Sequence, residues 1–148
     1  MHNYFKLANN TFDYRGKHTA PTKSHGAPMH DLTQIYPDDI YSQNAVRYYG
    51  DSNPCDASSI RKIHSVRNKP EMLVTVYRAV PKTIEIKGQK QELTDVAINP
   101  GDWVTVCKGY ALQHCNYFDD CQILEMKVPA KNLYTDGNSI HEWGYDPA

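Results

Sequence analysis

The sequence predicts an α+β domain, in which helices and strands occupy separate parts of the chain. Two segments with helical start and stop signals lie within residues 37–67, and strand-like segments rich in β-branched residues follow, with few helical stretches between them. No Gly-rich turn joins a strand to a helix, so neither a P-loop nor a dinucleotide-binding fingerprint is present. These observations favour α+β over a doubly wound α/β sheet.

The N-terminal residues 1–30 show no sustained hydrophobic period. They mix Asn, Thr, Gly, His and Pro with scattered aromatic residues, and Pro21 and Pro28 flank a polar stretch. Such a segment is typical of an extended arm or loop. The sequence therefore predicts an arm over 1–30 and one domain over 31–148.

Two helices are predicted at the start of this domain. Residues 37–50 begin with Pro37 and two acidic residues and end at Gly50, and residues 56–67 begin at Asp56 as a candidate N-cap. The residues predicted to face inward are Ile40, Tyr41, Asn44, Ala45 and Tyr48 in the first helix, and Ile60, Ile63 and Val66 or Arg67 in the second.

Strands are predicted for most of the remaining chain. The clearest one covers residues 72–80, which are rich in β-branched residues and are stopped by Pro81. A short helix is predicted over 108–116. The other predicted strands are 83–87, 101–107, 122–128 and 139–145.

The composition limits the classes of function. The chain has 148 residues, enough for one domain with a core, and 40% hydrophobic against 22% charged residues exclude a disordered chain. Its 16 Lys and Arg and 17 Asp and Glu give a net charge of −1. A protein that holds duplex DNA mainly by its charge needs a clear basic surplus, so that class is disfavoured, while a local basic groove stays open.

The four cysteines and the absence of long apolar runs predict a cellular compartment. Cys55, Cys107, Cys115 and Cys121 show no CxxC spacing, and the sequence has neither an apolar signal segment nor a run of 18 apolar residues. We expect a cytoplasmic protein with reduced, partly buried thiols and no membrane contact. The alternative is a zinc site built from Cys107, His114, Cys115 and Cys121, although closely spaced ligand pairs are missing.

Three positions place a polar group inside a segment with apolar neighbours. Arg78 ends an apolar strand, where a guanidinium needs a partner or a ligand. Thr105 lies between two valines, and Glu142 lies between a histidine and a tryptophan. Each has a simpler structural explanation: an exposed ion pair for Arg78, ordinary strand composition for Thr105 and a salt-bridged strand position for Glu142.

The order of these residues resembles the ADP-ribosyltransferase superfamily in its Arg, Ser/Thr, Glu arrangement. More narrowly, the chain resembles the ADP-ribosyltransferase domains of bacteriophage and mobile-element polyvalent proteins, over roughly residues 30–147. The segment from Ile40 to Gly50 is also similar to theirs. The strings that carry the resemblance are Val76–Pro81, Gly101–Thr105 followed by Tyr110 and Ala111, and Gly137–Tyr145, of which the last is the most specific.

The resemblance implies two small sheets with short helices around a cleft that binds NAD as a substrate. Arg78 would contact the phosphates or a ribose, Thr105 would hold the nicotinamide ribose or support its strand, and Glu142 would be the catalytic carboxylate. A guanidinium suits a diphosphate because its planar fork donates two hydrogen bonds. The aromatic residues that could stack on nicotinamide or on the acceptor are Tyr77, Tyr110 and Trp143, each of which could equally be core packing.

One departure from the family pattern bears on the acceptor. Ile140 stands two positions before Glu142, where arginine-modifying members carry Glu or Gln, so an acceptor other than arginine is expected. His141 would point to the face opposite Glu142 if both lay in one strand, which favours a structural role for it.

The resemblance to phage domains implies a phage-encoded transferase aimed at a host macromolecule, with a host protein favoured over a nucleic acid. A nucleic acid would use a basic helix and two tyrosines, although a charged helix face is more often simply solvated. Two other functions stay open, a binding module without turnover and an NAD glycohydrolase. The residues of the basic helix are Arg61, Lys62, Arg67 and Lys69, and the tyrosines are Tyr48 and Tyr49.

Overall fold

The protein, seen in a computed structural model that describes residues 19–117 and 120–148, is built on one antiparallel sheet. Six strands form the main sheet and two more form a separate hairpin, with short helices beside them. The α+β class predicted from the sequence is confirmed. The resemblance implied two small sheets, whereas the structure has one larger sheet and one two-stranded ribbon.

The described strands are β1 (Ala27–Pro28), β2 (Leu73–Pro81), β3 (Thr83–Ile86), β4 (Gln89–Glu92), β5 (Trp103–Thr105), β6 (Cys121–Pro129), β7 (Leu133–Thr135) and β8 (Glu142–Tyr145). Six of them form the main sheet in the spatial order β1-β7-β8-β5-β2-β6, and β3 and β4 form the hairpin. Every pairing in both sheets is antiparallel.

The helices are short. They are α1 (Ala45–Tyr49), α2 (Asp56–Ser65) and α3 (Lys108–His114), with 3-10 turns at Asp38–Tyr41, Cys115–Tyr117 and Ala130–Asn132. Among the residues described, no helix is long and apolar enough to cross a membrane.

The first predicted helix is divided in two. The backbone of Ser42 is extended. Its Oγ donates a hydrogen bond to the Asp39 carbonyl at 2.7 Å and accepts one from the Asn44 N–H at 3.2 Å. These side-chain bonds compete with helical ones, so a 3-10 turn and α1 replace one continuous helix. Ile40 and Ala45 are buried as predicted, but Asn44 is exposed and Tyr48 is 56% exposed.

The second predicted helix is confirmed as α2. Ile60, Ile63 and Val66 are buried, as expected for its inward face, and Arg67 lies outside with its guanidinium 3.9 Å from the centre of the Tyr41 ring. The expected N-cap is wrong by one position, because Asp56 is already the first helical residue.

The core lies on one face of the main sheet. Apolar side chains of the central strands pack there against α2 and against the segment that follows β1. The largest buried members are Met29, Leu32, Ile40, Ile63, Val66, Val76, Val106, Leu133 and Trp143. A smaller cluster of Val80, Ile84 and Leu93 joins the hairpin to the end of β2.

Residues 19–30 pack on the sheet, and the rest of the predicted arm lies outside the described residues. Ala27 and Pro28 pair with β7, and the Met29 N–H donates to the Leu133 carbonyl at 2.8 Å. Pro21 lies so close to β8 that a Cβ built on Gly144 would be 1.9 Å from its carbonyl oxygen. The described part of this segment is therefore integral to the domain.

The cysteine prediction is wrong, because all four residues form disulfides. Cys55 is joined to Cys107 and Cys115 to Cys121, with Cα–Cα distances of 6.2 and 5.4 Å that lie in the normal disulfide range. The fold brings together partners 52 residues apart, a proximity that sequence spacing cannot show. The bonded sulfurs also leave no thiolate for the alternative zinc site.

Candidate functional site

Three of the predicted site residues form one row across the sheet. Thr105 of β5 pairs with Tyr77 of β2 on one side and with Glu142 of β8 on the other. Residues directly opposite each other in an antiparallel ladder point to the same face, so the three side chains share one face of the sheet. Thr105 and Glu142 are only 4% and 3% exposed. The row places a buried carboxylate beside a buried hydroxyl.

Arg78 belongs to the opposite face of its strand. Side chains alternate along a strand, so Arg78 lies on the same face of β2 as Val74 and Val76, which point into the core. Tyr77 lies on the other face. Nη1 of Arg78 donates to the Trp103 carbonyl at 2.7 Å, and its Nε lies 3.9 Å from a carboxylate oxygen of Asp102. These contacts hold the buried guanidinium beside the start of β5.

Helix α3 covers the row on its own face. The Tyr110 hydroxyl donates to Oε1 of Glu142, and the Tyr110 ring lies against His114 with a centroid distance of 4.7 Å. Thr105 directs the chain into this helix, since its Oγ1 accepts the N–H of Cys107, the residue before α3, at 3.3 Å. The local sequence thus places a tyrosine hydroxyl over the carboxylate.

A narrow pocket with a cavity volume of about 10 Å³ lies between α3 and strands β2 and β5. Of its lining residues, Thr105 pairs with Glu142 and Tyr110 donates a hydrogen bond to it, but Glu142 itself is not among the described lining residues. The complete lining is Tyr77, Arg78, Ala79, Trp103, Val104, Thr105, Tyr110, Ala111 and His114. Tyr110 therefore stands between the pocket and the carboxylate.

A buried hydrogen-bonded cluster supports Glu142 from the side. His141 is 1% exposed, with Nδ1 2.7 Å from Oγ of Ser59 and Nε2 3.0 Å from Oδ1 of Asp56. Its ring stacks on Tyr110 at 4.7 Å and 23°. Since β8 begins only at Glu142, strand alternation does not place His141, and the expected opposite-face orientation gives way to this contact. Sequence reasoning missed Ser59, for which no local pattern gave a signal.

Asp56 is the charged partner in this cluster. Burial would raise the pKa of Asp56, but hydrogen bonds from Asp51 and Asn53 outweigh that effect and hold it below the usual value. The bond to His141 acts in the same direction. The carboxylate thus remains charged and anchors the imidazole.

The same cluster has the composition of a metal site. Asp51, Asp56 and His141 each offer one ligand atom, all within 4.8 Å of one another. Asp51 is 65% exposed, and its Oδ1 lies 3.4 Å from Nε2 of His141. Hydrogen bonding to the imidazole explains why both carboxylates lie here. We therefore infer that the cluster positions His141, and we do not assign it to a metal.

Two further predicted residues lie in the core. Trp143 is fully buried on the face opposite Glu142, and its Nε1 donates to the Ile140 carbonyl at 3.3 Å. Ile140 is itself 3% exposed. The core-packing interpretation that the sequence left open for Trp143 therefore fits its surroundings, and we do not include it in the cofactor site.

The predicted basic helix does not form one free surface. Lys62 donates from Nζ to the Val106 carbonyl at 2.5 Å and lies over the Tyr77 ring, and burial lowers its pKa. Tyr49 donates its hydroxyl to Asp39, which raises the pKa of Tyr49 to about 12. Two groups proposed for nucleic-acid contact are thus already engaged within the domain.

Comparisons of the chain with family models, with curated proteins and with solved structures gave no match.

Proposed function

We propose that this protein is a mono-ADP-ribosyltransferase that uses NAD, with Glu142 as the catalytic carboxylate. The observation that supports this most directly is the row of Tyr77, Thr105 and Glu142, with the carboxylate buried next to a pocket lined by aromatic residues. Carboxylates in such surroundings are frequent at catalytic centres. The resemblance to the superfamily supplies the same residue types in the same order.

The chemistry gives each group a role. The bond between C1′ of the ribose and the nicotinamide nitrogen breaks, its electron pair leaves with neutral nicotinamide, and a cation resembling an oxocarbenium ion forms at C1′. Glu142 stabilises that charge and accepts hydrogen bonds from the ribose hydroxyls. The nucleophile of the acceptor then bonds to C1′ and releases its proton.

The pocket residues would hold the remainder of NAD. Tyr77 and Tyr110 offer aromatic faces to nicotinamide, and Thr105 offers its hydroxyl to the ribose or supports the strand. Arg78 lines the same pocket. In this proposal its planar guanidinium contacts the diphosphate of NAD. Ligand pockets usually measure about 300–1,000 Å³. The present pocket measures about 10 Å³, so it must widen substantially to admit a dinucleotide.

The acceptor is proposed to be a host protein. The position two residues before Glu142 is the buried Ile140, so the group that activates arginine acceptors in related enzymes is missing there. We keep a phage-encoded protein that acts in the host cytoplasm as part of the proposal, on the resemblance alone.

Labelled NAD and a host extract test the proposal. Glu142→Gln should release nicotinamide about 10²- to 10³-fold more slowly than wild type, whereas Glu92→Gln, at an exposed position of β4, should behave as wild type. Equal rates for wild type and Glu142→Gln would refute the catalytic role. Label that vanishes with protease and resists nuclease identifies a protein acceptor, and the reverse pattern identifies a nucleic acid.

The same measurements separate the two alternatives. Nicotinamide release without any labelled macromolecule would identify an NAD glycohydrolase. Failure of wild type to bind NAD by calorimetry under oxidising and reducing conditions would leave a binding module.

A further inference from the structure

Both ends of α3 are cross-linked to other elements. Cys107 directly precedes the helix and is bonded to Cys55, which precedes α2. Cys115 directly follows the helix and is bonded to Cys121, the first residue of β6. A helix of seven residues is thus clamped at each end by a disulfide.

Besides the disulfides, α3 is held by the contacts of Tyr110 with Glu142 and His141. Ala111 is its only buried residue, whereas Leu112 is 52% exposed. Gln113 exchanges two exposed side-chain hydrogen bonds with Asn53, which lies beside the first disulfide. Isolated helices of this length are unstable in water, so the cross-links add to the contacts that stabilise the closed position.

The clamped helix is also the element that covers the candidate site. Tyr110, Ala111 and His114 line the pocket, and the Tyr110 hydroxyl occupies Oε1 of Glu142. The first turn lies against the disulfide, since a Cβ built on Gly109 would be 3.3 Å from the Cys55 sulfur. The Cys55–Cys107 disulfide therefore restrains the turn of α3 that carries Tyr110.

We propose that α3 is a lid latched by the Cys55–Cys107 and Cys115–Cys121 disulfides, and that their reduction lets it move away from Glu142 and admit NAD. The NAD part of this inference rests on the proposed function, whereas the latch itself does not. An oxidised protein is then closed, and a reducing compartment opens it.

The reductant is a dithiol. Its thiolate attacks the sulfur of Cys107, a half-buried residue, and Cys55, which is 4% exposed, leaves as the thiolate. The second thiol of the reductant resolves the mixed disulfide. Two electrons and two protons pass to the protein, which gains two cysteine thiols, and the reductant becomes a disulfide. The Cys115–Cys121 bond reacts in the same way.

Hydrogen exchange of the full chain with and without dithiothreitol tests the latch. Alkylation and mass spectrometry verify that the cysteines have been reduced. We expect amides of 110–114 to exchange about tenfold faster or more after reduction, while amides of β7, which bears no cysteine, serve as the internal reference. Cys107→Ser in the absence of reductant should reproduce part of the effect. Leu112→Ala, on the exposed side of α3, is the matched control.

Calorimetry with NAD provides the second measurement. Apparent affinity scales with the fraction of open molecules, so reduction should strengthen NAD binding about tenfold or more. Unchanged exchange in α3 after full reduction would overturn the latch, as would free thiols at Cys55 and Cys107 in protein purified under air. Equal NAD affinity in both states would overturn its control of the site. If reduction loosens α3 but neither the oxidised nor the reduced protein binds NAD, the latch is supported and the proposed transferase is refuted.

Discussion

The hydroxyl of Tyr110 on α3 donates a hydrogen bond to the carboxylate of Glu142 on β8, and the Tyr110 ring stacks on His141, the residue before it in sequence. One side chain thereby joins a helix to the first residue of β8 and to the residue before that strand. The carboxylate that the proposal makes catalytic is thus held by a group 32 residues away in the chain.

Tyr110→Phe should lower the free energy of unfolding by about 1–3 kcal/mol, because it removes a hydrogen bond to a buried carboxylate while keeping the ring. Urea unfolding of the oxidised protein measures this effect. The matched control Leu112→Ala, on the exposed side of the same helix, should change stability by about 0.5 kcal/mol or less. Equal losses for the two variants would mean that the Tyr110 bond contributes nothing.

His141→Ala should destabilise the protein by about 3–5 kcal/mol, since it leaves the buried carboxylate of Asp56 without its imidazole partner. A double-mutant cycle with Asp56→Asn isolates the pair. We expect the double variant to be clearly more stable than the sum of the two single losses predicts. Simple additivity would show that the two residues do not interact.

Arg78→Lys should weaken NAD binding about tenfold or more, because a lysine keeps the charge but loses the planar fork. Calorimetry under reducing conditions measures the affinity, and thermal unfolding measures stability alongside it. Asp102→Asn is the matched control, since it alters the carboxylate near Nε and leaves the guanidinium in place. If Arg78→Lys lowers Tm while NAD affinity holds, Arg78 has only a structural role.

Stability should depend on pH through Asp56. Its pKa is held below the ordinary value of 3.8 in the folded protein, so the unfolded chain binds more protons in that range. The contribution is therefore fully present above 3.8 and is lost as the pH falls through the lower, folded pKa. Urea unfolding between about pH 2 and pH 6 measures it. Asp56→Asn should reduce the loss of unfolding free energy at acid pH. An unchanged dependence of this free energy on pH would exclude the Asp56 carboxyl as its cause.

Gly144→Ala should destabilise the domain by about 1–3 kcal/mol or more, because the added methyl would meet the backbone of Pro21 at 1.9 Å. Thermal unfolding is the measurement. Gly88→Ala, whose Cβ would meet nothing within 4 Å, controls for the loss of a glycine, although its positive φ adds a local strain of its own. A Gly144→Ala protein as stable as wild type would show that residues 19–30 do not pack on β8.

Sequence periodicity predicted the elements that carry long runs of apolar residues. It identified β2, β6 and α2 to within a few residues because each has a clear apolar pattern, but β1 and β7 are too short to show one. The helical face of 37–50 was predicted only in part, since the side chain of Ser42 breaks the helix.

The candidate site was predictable by residue type and not by arrangement. Alternation along β2 separates Tyr77 from Arg78, but only the register with β5 shows that Tyr77 shares a face with Thr105. Registers and disulfide pairings depend on contacts between distant residues, which local patterns do not encode. The hydrogen bond from Tyr110 to Glu142 belongs to the same class of contact.

The strand that carries Glu142 is inserted between β7 and β5, inside the sheet, and it is the last of the described strands in chain order. While the chain is being synthesised, the place between those neighbours stays open until residues 142–145 emerge. Thr105 and Tyr110 are made earlier and have no carboxylate to contact. A nascent chain that ends before residue 142 therefore lacks the carboxylate to which the proposal gives the catalytic role.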